Sequence, residues 1–170
     1  MQELMAATAL SGGALHHHFP SKKSLVLAVF TERVAPVVRK TWIEPVRAAA
    51  SLGEGVQAVF DEIIAALEGR GAVSGCPLNN LALELSLADS EFRSAAAEIF
   101  HEWQDALSDR VRDTRGGRGL TKAARAEIAA FIVSSYSGAM TLAKAEQNAK
   151  PLRSTAQNLK RWLQSNQLDR

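Results

Sequence analysis

Apolar residues recur at spacings of three and four along most of this chain, and no segment keeps the two-residue alternation of a half-buried strand. Val56, Val59, Phe60, Ile63, Ile64 and Leu67 trace one face of an amphipathic helix over 53–67. Phe92, Ala96, Ile99, Phe100, Trp103, Leu107 and Val111 trace another, opened by Asp89 or Ser90 as its cap. A long helix is expected over 21–49, kinked at Pro36 and broken at Pro45, because a proline ring in mid-helix removes a donor and crowds the turn before it. A short apolar helix over 76–87 has Pro77 in its first turn, a longer one runs from Thr121 to about 148, and a last one opens at Pro151 and ends at Leu163. The glycine-rich stretch 68–75 and the basic run 115–119 read as connections, the second a flexible one. The fold class is all-α.

Residues 11–25, S-G-G-A-L-H-H-H-F-P-S-K-K-S-L, carry the most information about function. Ser11 can cap a short helix whose inner face holds Leu15 and Phe19, while Gly12, Gly13, His16 and His17 point elsewhere. The two glycines cost helix propensity, yet they let the backbone approach a phosphate or a base edge. Pro20 stops that helix, Ser21 caps the next, and Lys22 and Lys23 fall in its first turn. Two cations at the positive end of a helix dipole are unfavourable there and call for an anionic partner, for which a DNA backbone is the candidate.

This stretch resembles the helix-turn-helix of the TetR family of bacterial transcriptional regulators, which commonly reads V-S-x-G-x-L-Y-x-H-F-x-S-K-x-x-L. Leu10, Ser11, Gly13, Leu15, His18, Phe19, Ser21, Lys22 and Leu25 match it, and residues 1–8 take the place of the helix before the turn. The resemblance implies that Ser11, Gly12, Gly13, His16, His17 and Lys22 face DNA and that His18 packs inward. His16 stands where the family has tyrosine, and Ala9 where it has the turn glycine. Family members carry one further helix before the point where this sequence starts. The expected organisation is therefore a truncated helix-turn-helix domain over 1–33, followed by a helical effector-binding and dimerisation domain over 34–170. Operator DNA, a small-molecule effector and a second copy are the implied partners. The alternative is a helical ligand-binding or dimerisation protein whose DNA binding is lost or weak without that first helix.

Composition narrows the field. With 46% hydrophobic and 22% charged residues, the chain has the make-up of a packed globular protein rather than a disordered one. A net charge of +2 decides nothing about nucleic acid, but Lys22, Lys23, Arg33, Arg39 and Lys40 outweigh Glu3 and Glu32 in the first forty residues. No secretory or membrane-spanning run is visible, and the single cysteine has no partner for an internal disulfide, so a cytoplasmic protein is expected. No nucleophile elbow, phosphate-binding loop, H-E-x-x-H or paired-cysteine motif occurs, so neither enzymatic activity nor a cofactor is expected. The triplet His16, His17 and His18 cannot converge on one ion, since neighbours on a helix point about 100° apart.

An effector of neutral or weakly polar, hydrophobic character would lodge between helices. Trp42, Phe60, Cys76, Asn79, Leu83, Phe100, Trp103, Gln104, Tyr136 and Met140 are the candidates to line its site, each of which ordinary core packing explains equally well. Cys76 has two readings: a small buried hydrophobe, or a thiolate favoured by a helix N-terminus and able to sense electrophiles. Ala124, Ile128, Phe131, Ile132, Ser135, Ala139 and Leu142 form a stripe rich in small residues, either intramolecular core or, as the resemblance implies, part of a dimer seam made by the last two helices.

Overall fold

In a computed structural model, which describes residue 13 and residues 17–170, six helices follow one another from residue 22 onward, and no strand occurs among the described residues. Ser11, Gly12 and His16, three of the candidate DNA-facing residues, lie outside the described residues. The first helix, α1, spans 22–48 and is continuous through positions 33 and 34. It is followed by α2 (Leu52–Arg70), α3 (Pro77–Leu85), α4 (Ser90–Asp113), α5 (Lys122–Glu146) and α6 (Lys150–Ser165).

Neither proline interrupts α1, contrary to the expected break at Pro45. Immediately before each ring the helix widens into a π turn, Phe30–Val34 and then Arg39–Ile43. The Ala35 amide donates to the Phe30 carbonyl and the Glu44 amide to the Arg39 carbonyl, each five residues back. The extra residue carries the following ring past the carbonyl it would otherwise strike, and the rod continues.

The caps fall where polar side chains were expected. Ser21 and Ser24 form a reciprocal pair at the start of α1, with the Ser24 amide 3.0 Å from Ser21 Oγ. Asp89 accepts from the Glu91 amide at 2.8 Å and Thr121 from the Ala124 amide at 3.2 Å. One core runs through the bundle, with Phe30, Phe60, Leu78, Trp103, Val111, Ile132 and Leu152 almost wholly removed from water. α5 lies between α4 and α6, and α6 packs back on α2. The α5 stripe divides between two sides of the helix: Ile132 and Ala139 are buried, whereas Phe131 and Leu142 are exposed. Neighbouring positions on a helix point about 100° apart, so Phe131 and Ile132 fall on different sides and the stripe does not form a single seam.

The run 115–119 is fixed, not flexible. The Arg115 amide donates to the Arg170 carbonyl at 2.9 Å and the Gly116 amide to the Gln167 carbonyl at 2.8 Å, while Leu168 is buried beneath. A β-carbon on Gly116 would sit 2.1 Å from the Asn166 carbonyl oxygen, and one on Gly117 1.8 Å from that of Val111. The two glycines are there because backbone comes too close for any side chain.

Candidate functional site

A cavity of about 390 Å³ opens where α1 to α5 converge. From α1 it takes Val34, Val37, Val38, Thr41 and Trp42, one face of a helix at spacings of three and four. From α2 come Ile63 and Leu67, from the α2–α3 connection Cys76, from α3 Leu78, from α4 Trp103, and from α5 Tyr136 and Met140. Glu62 and Arg70, both exposed, stand at its edge. Of the ten candidate effector-site residues, Trp42, Cys76, Trp103, Tyr136 and Met140 line this cavity. The aliphatic walls from α1 and α2 were missed by choosing aromatic and polar residues, although their helical spacing was visible.

The aromatic rings beside the cavity hold one another. Trp42 packs edge-to-face on Tyr136 at 4.8 Å and on Phe60 at 5.7 Å, and Trp103 on Tyr136 at 5.6 Å. Each such pair adds about 0.5–1.5 kcal/mol beyond the area it buries. Phe60 is part of this cluster, fully buried, and does not line the cavity. The indole nitrogens of Trp42 and Trp103 are buried without a hydrogen-bond partner, a state that costs about 1–3 kcal/mol per donor. Cys76 caps α3, and the amides of Asn79 and Leu78 and the Tyr136 hydroxyl favour its thiolate, but burial outweighs them and pushes the thiol up. That is the opposite of the shift a helix N-terminus alone would give. Burial likewise pushes the Tyr136 phenol far above its ordinary range.

Asn79, Leu83, Phe100 and Gln104 are elsewhere. They line an open groove of about 720 Å³ between α3, α4 and α5, together with Ala130, Phe131, Ser134 and Gly138. The ten candidates therefore separate into an internal cavity, an adjoining ring cluster and an outer groove.

At the other end of the molecule, Gly13 and His17 are exposed, as is Lys22 in the first turn of α1. His18 is exposed as well, edge-on to the His17 ring at 5.4 Å, and Phe19 beside it is only half-buried, so the inward packing expected of His18 is not found. Lys23 turns away from this surface. Its Nζ lies 2.8 Å from Asp89 and 2.7 Å from Glu91 at the start of α4. Among the described residues no three His, Cys, Asp or Glu side chains are grouped to hold a metal ion.

α1 thus begins beside the exposed Gly13, His17 and Lys22 and runs on to wall the internal cavity, so one helix joins the two places. Residues 53–158 match the family model described as the C-terminal domain of LmrA/YxaF-like transcriptional regulators, and the chain belongs to the TetR family of transcriptional regulators. It is 24% identical over 152 residues to the HTH-type transcriptional regulator LmrA of Bacillus subtilis (strain 168), covering 89% of this chain and 79% of that one. It is 25% identical over 153 residues to the HTH-type transcriptional repressor DhaR of Mycobacterium sp. (strain GP1), covering 89% of this chain and 75% of that one. The solved structure of a TetR-family regulator from Cytophaga hutchinsonii superimposes with a TM-score of 0.82, covering 100% of this chain and 85% of that one; at 20% identity the likeness is one of fold.

Proposed function

We propose that the chain is a ligand-responsive repressor, released from a two-fold operator by a small neutral hydrophobic effector bound in the internal cavity. Regulators of this family bind operator DNA, act as dimers and respond to small molecules. One observation carries the reading: α1 is a single uninterrupted rod whose first turn presents Lys22 beside the reader and whose middle supplies Val34, Val38 and Trp42 to the cavity wall. An occupant that shifts that wall also shifts the first turn, and with it the spacing of two readers in successive major grooves. The cavity favours an uncharged occupant, because its inner wall of Val34, Val38, Ile63, Leu67, Leu78 and Met140 is apolar and would leave a charge without a partner. The aromatic faces that would attract a cation are already covered by one another's edges. The dimer is formed through α5 and α6, the protein acts in the cytoplasm, and it performs no catalysis.

The test is fluorescence anisotropy of labelled genomic fragments from beside this gene, titrated at several salt concentrations. Counterion release makes affinity fall steeply with salt, and Lys22→Ala flattens the slope by about one phosphate contact, weakening binding to all sequences alike. Gly13→Ala or His17→Ala instead changes which fragment is preferred. Salt-independent or undetectable binding by the dimer would replace this reading with a ligand-binding or dimerisation protein that has no operator.

A further inference from the structure

Among the described residues that line the internal cavity, only Ser74, Gly75 and Cys76 lie outside a regular helix. They belong to the connection between α2 and α3, residues 71–76. Among the described residues, 72–75 make no backbone-to-backbone hydrogen bond, and side chains hold them instead. The Val73 amide donates to Gln147 Oε1 and Gln147 Nε2 donates to the Val73 carbonyl, each at 3.1 Å. Asn80 Nδ2 donates to the Ser74 carbonyl at 3.0 Å, and Lys144 Nζ in turn donates to Asn80 Oδ1 at 3.0 Å. Gln147 ends α5 at φ 52°, a backbone state that is costly for a residue with a side chain. Its Nε2 also donates to the Lys144 carbonyl at 2.6 Å, which keeps the amide facing Val73.

Both ends of this strap can turn. Gly71 and Gly75 have φ of 69° and 87°, in the left-handed region that favours glycine, and a β-carbon on Gly71 would meet nothing within 4 Å. Between them Val73 is buried while Ala72 and Ser74 on either side are exposed, so one apolar side chain plugs the strap into the body of the protein. The strap also divides two spaces. Gly71, Ala72 and Val73 line a surface hollow of about 270 Å³ together with Gln147, Ser74 to Cys76 line the cavity, and Leu67 borders both. We propose that residues 71–76 are the gate of the internal cavity: when Val73 leaves the Gln147 amide, the strap swings on its two glycines, joins hollow to cavity and lets the effector in or out. Opening anywhere else would part helices that share the core around Trp42, Leu78 and Trp103. The strap gives up only the Val73 and Ser74 bonds to Gln147 and Asn80 and the burial of one valine, the scale of a local opening. The inference rests on the effector site of the proposed function and adds its route of access and its latch.

Cys76 ends the strap, is buried and is the only cysteine, so its alkylation reads the opening. N-ethylmaleimide is expected to label Gln147→Gly at least about tenfold faster than the parent, since glycine keeps the left-handed turn and deletes only the latch. In both proteins the labelling rate should barely change with urea below the unfolding transition, as a local opening requires, and circular dichroism should show the variant as helical as the parent. Thr141→Ala is the control and keeps the parent rate, because that hydroxyl donates within α5, to the Ser137 carbonyl. Gln147→Gly should also take up and release N-phenyl-1-naphthylamine, a neutral apolar dye that brightens away from water, about tenfold faster, with Kd within about threefold of the parent. A gate moves both rates together, whereas a wall residue moves the affinity. Should Gln147→Gly fail to fold, Val73→Ala serves instead: it shortens the plug and is expected to raise labelling by a similar factor. An unchanged labelling rate in the folded variant, labelling that follows global unfolding in urea, or dye exchange blind to the latch overturns the gate and leaves the proposed function standing. Latch-dependent labelling and dye exchange in a protein without salt-dependent DNA binding supports the gate and overturns the repressor.

Discussion

Lys23 is clamped by Asp89: the ammonium at the start of α1 lies 2.8 Å from the carboxylate that caps α4, with Glu91 at 2.7 Å on its other side. The anion that a cation in the first turn of a helix calls for is here supplied from within the chain. The clamp ties the end of α1 nearest the reader to the start of α4, whose Trp103 reaches the cavity almost four turns further along. A second tie, Arg39 to Glu102 at 2.6 and 2.8 Å, joins the same two helices lower down. Hydrogen bonding to Lys23 holds the Asp89 carboxyl below its usual range, and the same contact holds Lys23 above its own.

The clamp should be insensitive to pH across the physiological range. Asp89 has its folded pKa lowered, so its contribution is complete above the unfolded value near 4 and is lost as pH falls through the folded one. Lys23 has its folded pKa raised, so its contribution is complete below the unfolded value near 10.4 and is lost as pH rises through the folded one. Between about pH 5 and 9 DNA affinity should therefore show no step that Asp89→Asn with Glu91→Gln removes. In the native pH range this double variant should loosen the coupling between effector and DNA, seen as a smaller change in operator affinity on adding effector. An unchanged effector response would show that the clamp transmits nothing.

Tyr136 is the only tyrosine, so its ionisation can be followed without interference. Burial keeps the phenol neutral far beyond its ordinary range. Stability should therefore fall as pH rises above about 10, where the unfolded chain ionises and the folded chain does not. The rise in absorbance at long ultraviolet wavelength should coincide with loss of the helical circular dichroism signal. A phenolate appearing first, in a still helical protein, would mean that water reaches the ring cluster.

Cys76 should react slowly. With its thiol pushed up and its side chain buried, a disulfide reagent at neutral pH should modify it at least about a hundredfold more slowly in the folded protein than in denaturant. Reaction at comparable rates would restore the electrophile-sensing reading.

Gly117→Ala should destabilise the fold by about 2–4 kcal/mol, because the added methyl would overlap the Val111 carbonyl, which the Thr114 amide and hydroxyl hold in place at the end of α4. Gly119→Ala, two residues away, meets open space and serves as the control, expected to stay within about 0.5 kcal/mol of the parent. Urea unfolding of both distinguishes a fixed turn from the flexible basic loop its composition suggests.

The sequence by itself determined the helices, since their periods and caps are local: Ser21, Asp89 and Thr121 cap where a side-chain oxygen precedes an apolar stripe, and Val56 to Leu67 form a helix from spacing alone. It also determined the family, through closely spaced matches in residues 10–25. What it left open was every question of which side of a helix meets which neighbour. Helical phase orders residues around their own axis, whereas the neighbour is fixed by elements distant in the chain. The tertiary structure therefore decided that Trp42 and Tyr136 share a cavity while Phe100 and Gln104 face a groove, and that Lys23 is held by residues 66 and 68 positions away. It decided too that Pro45 leaves α1 unbroken, because a π turn absorbs the ring, and that the 115–119 turn is pinned by the last five residues of the chain.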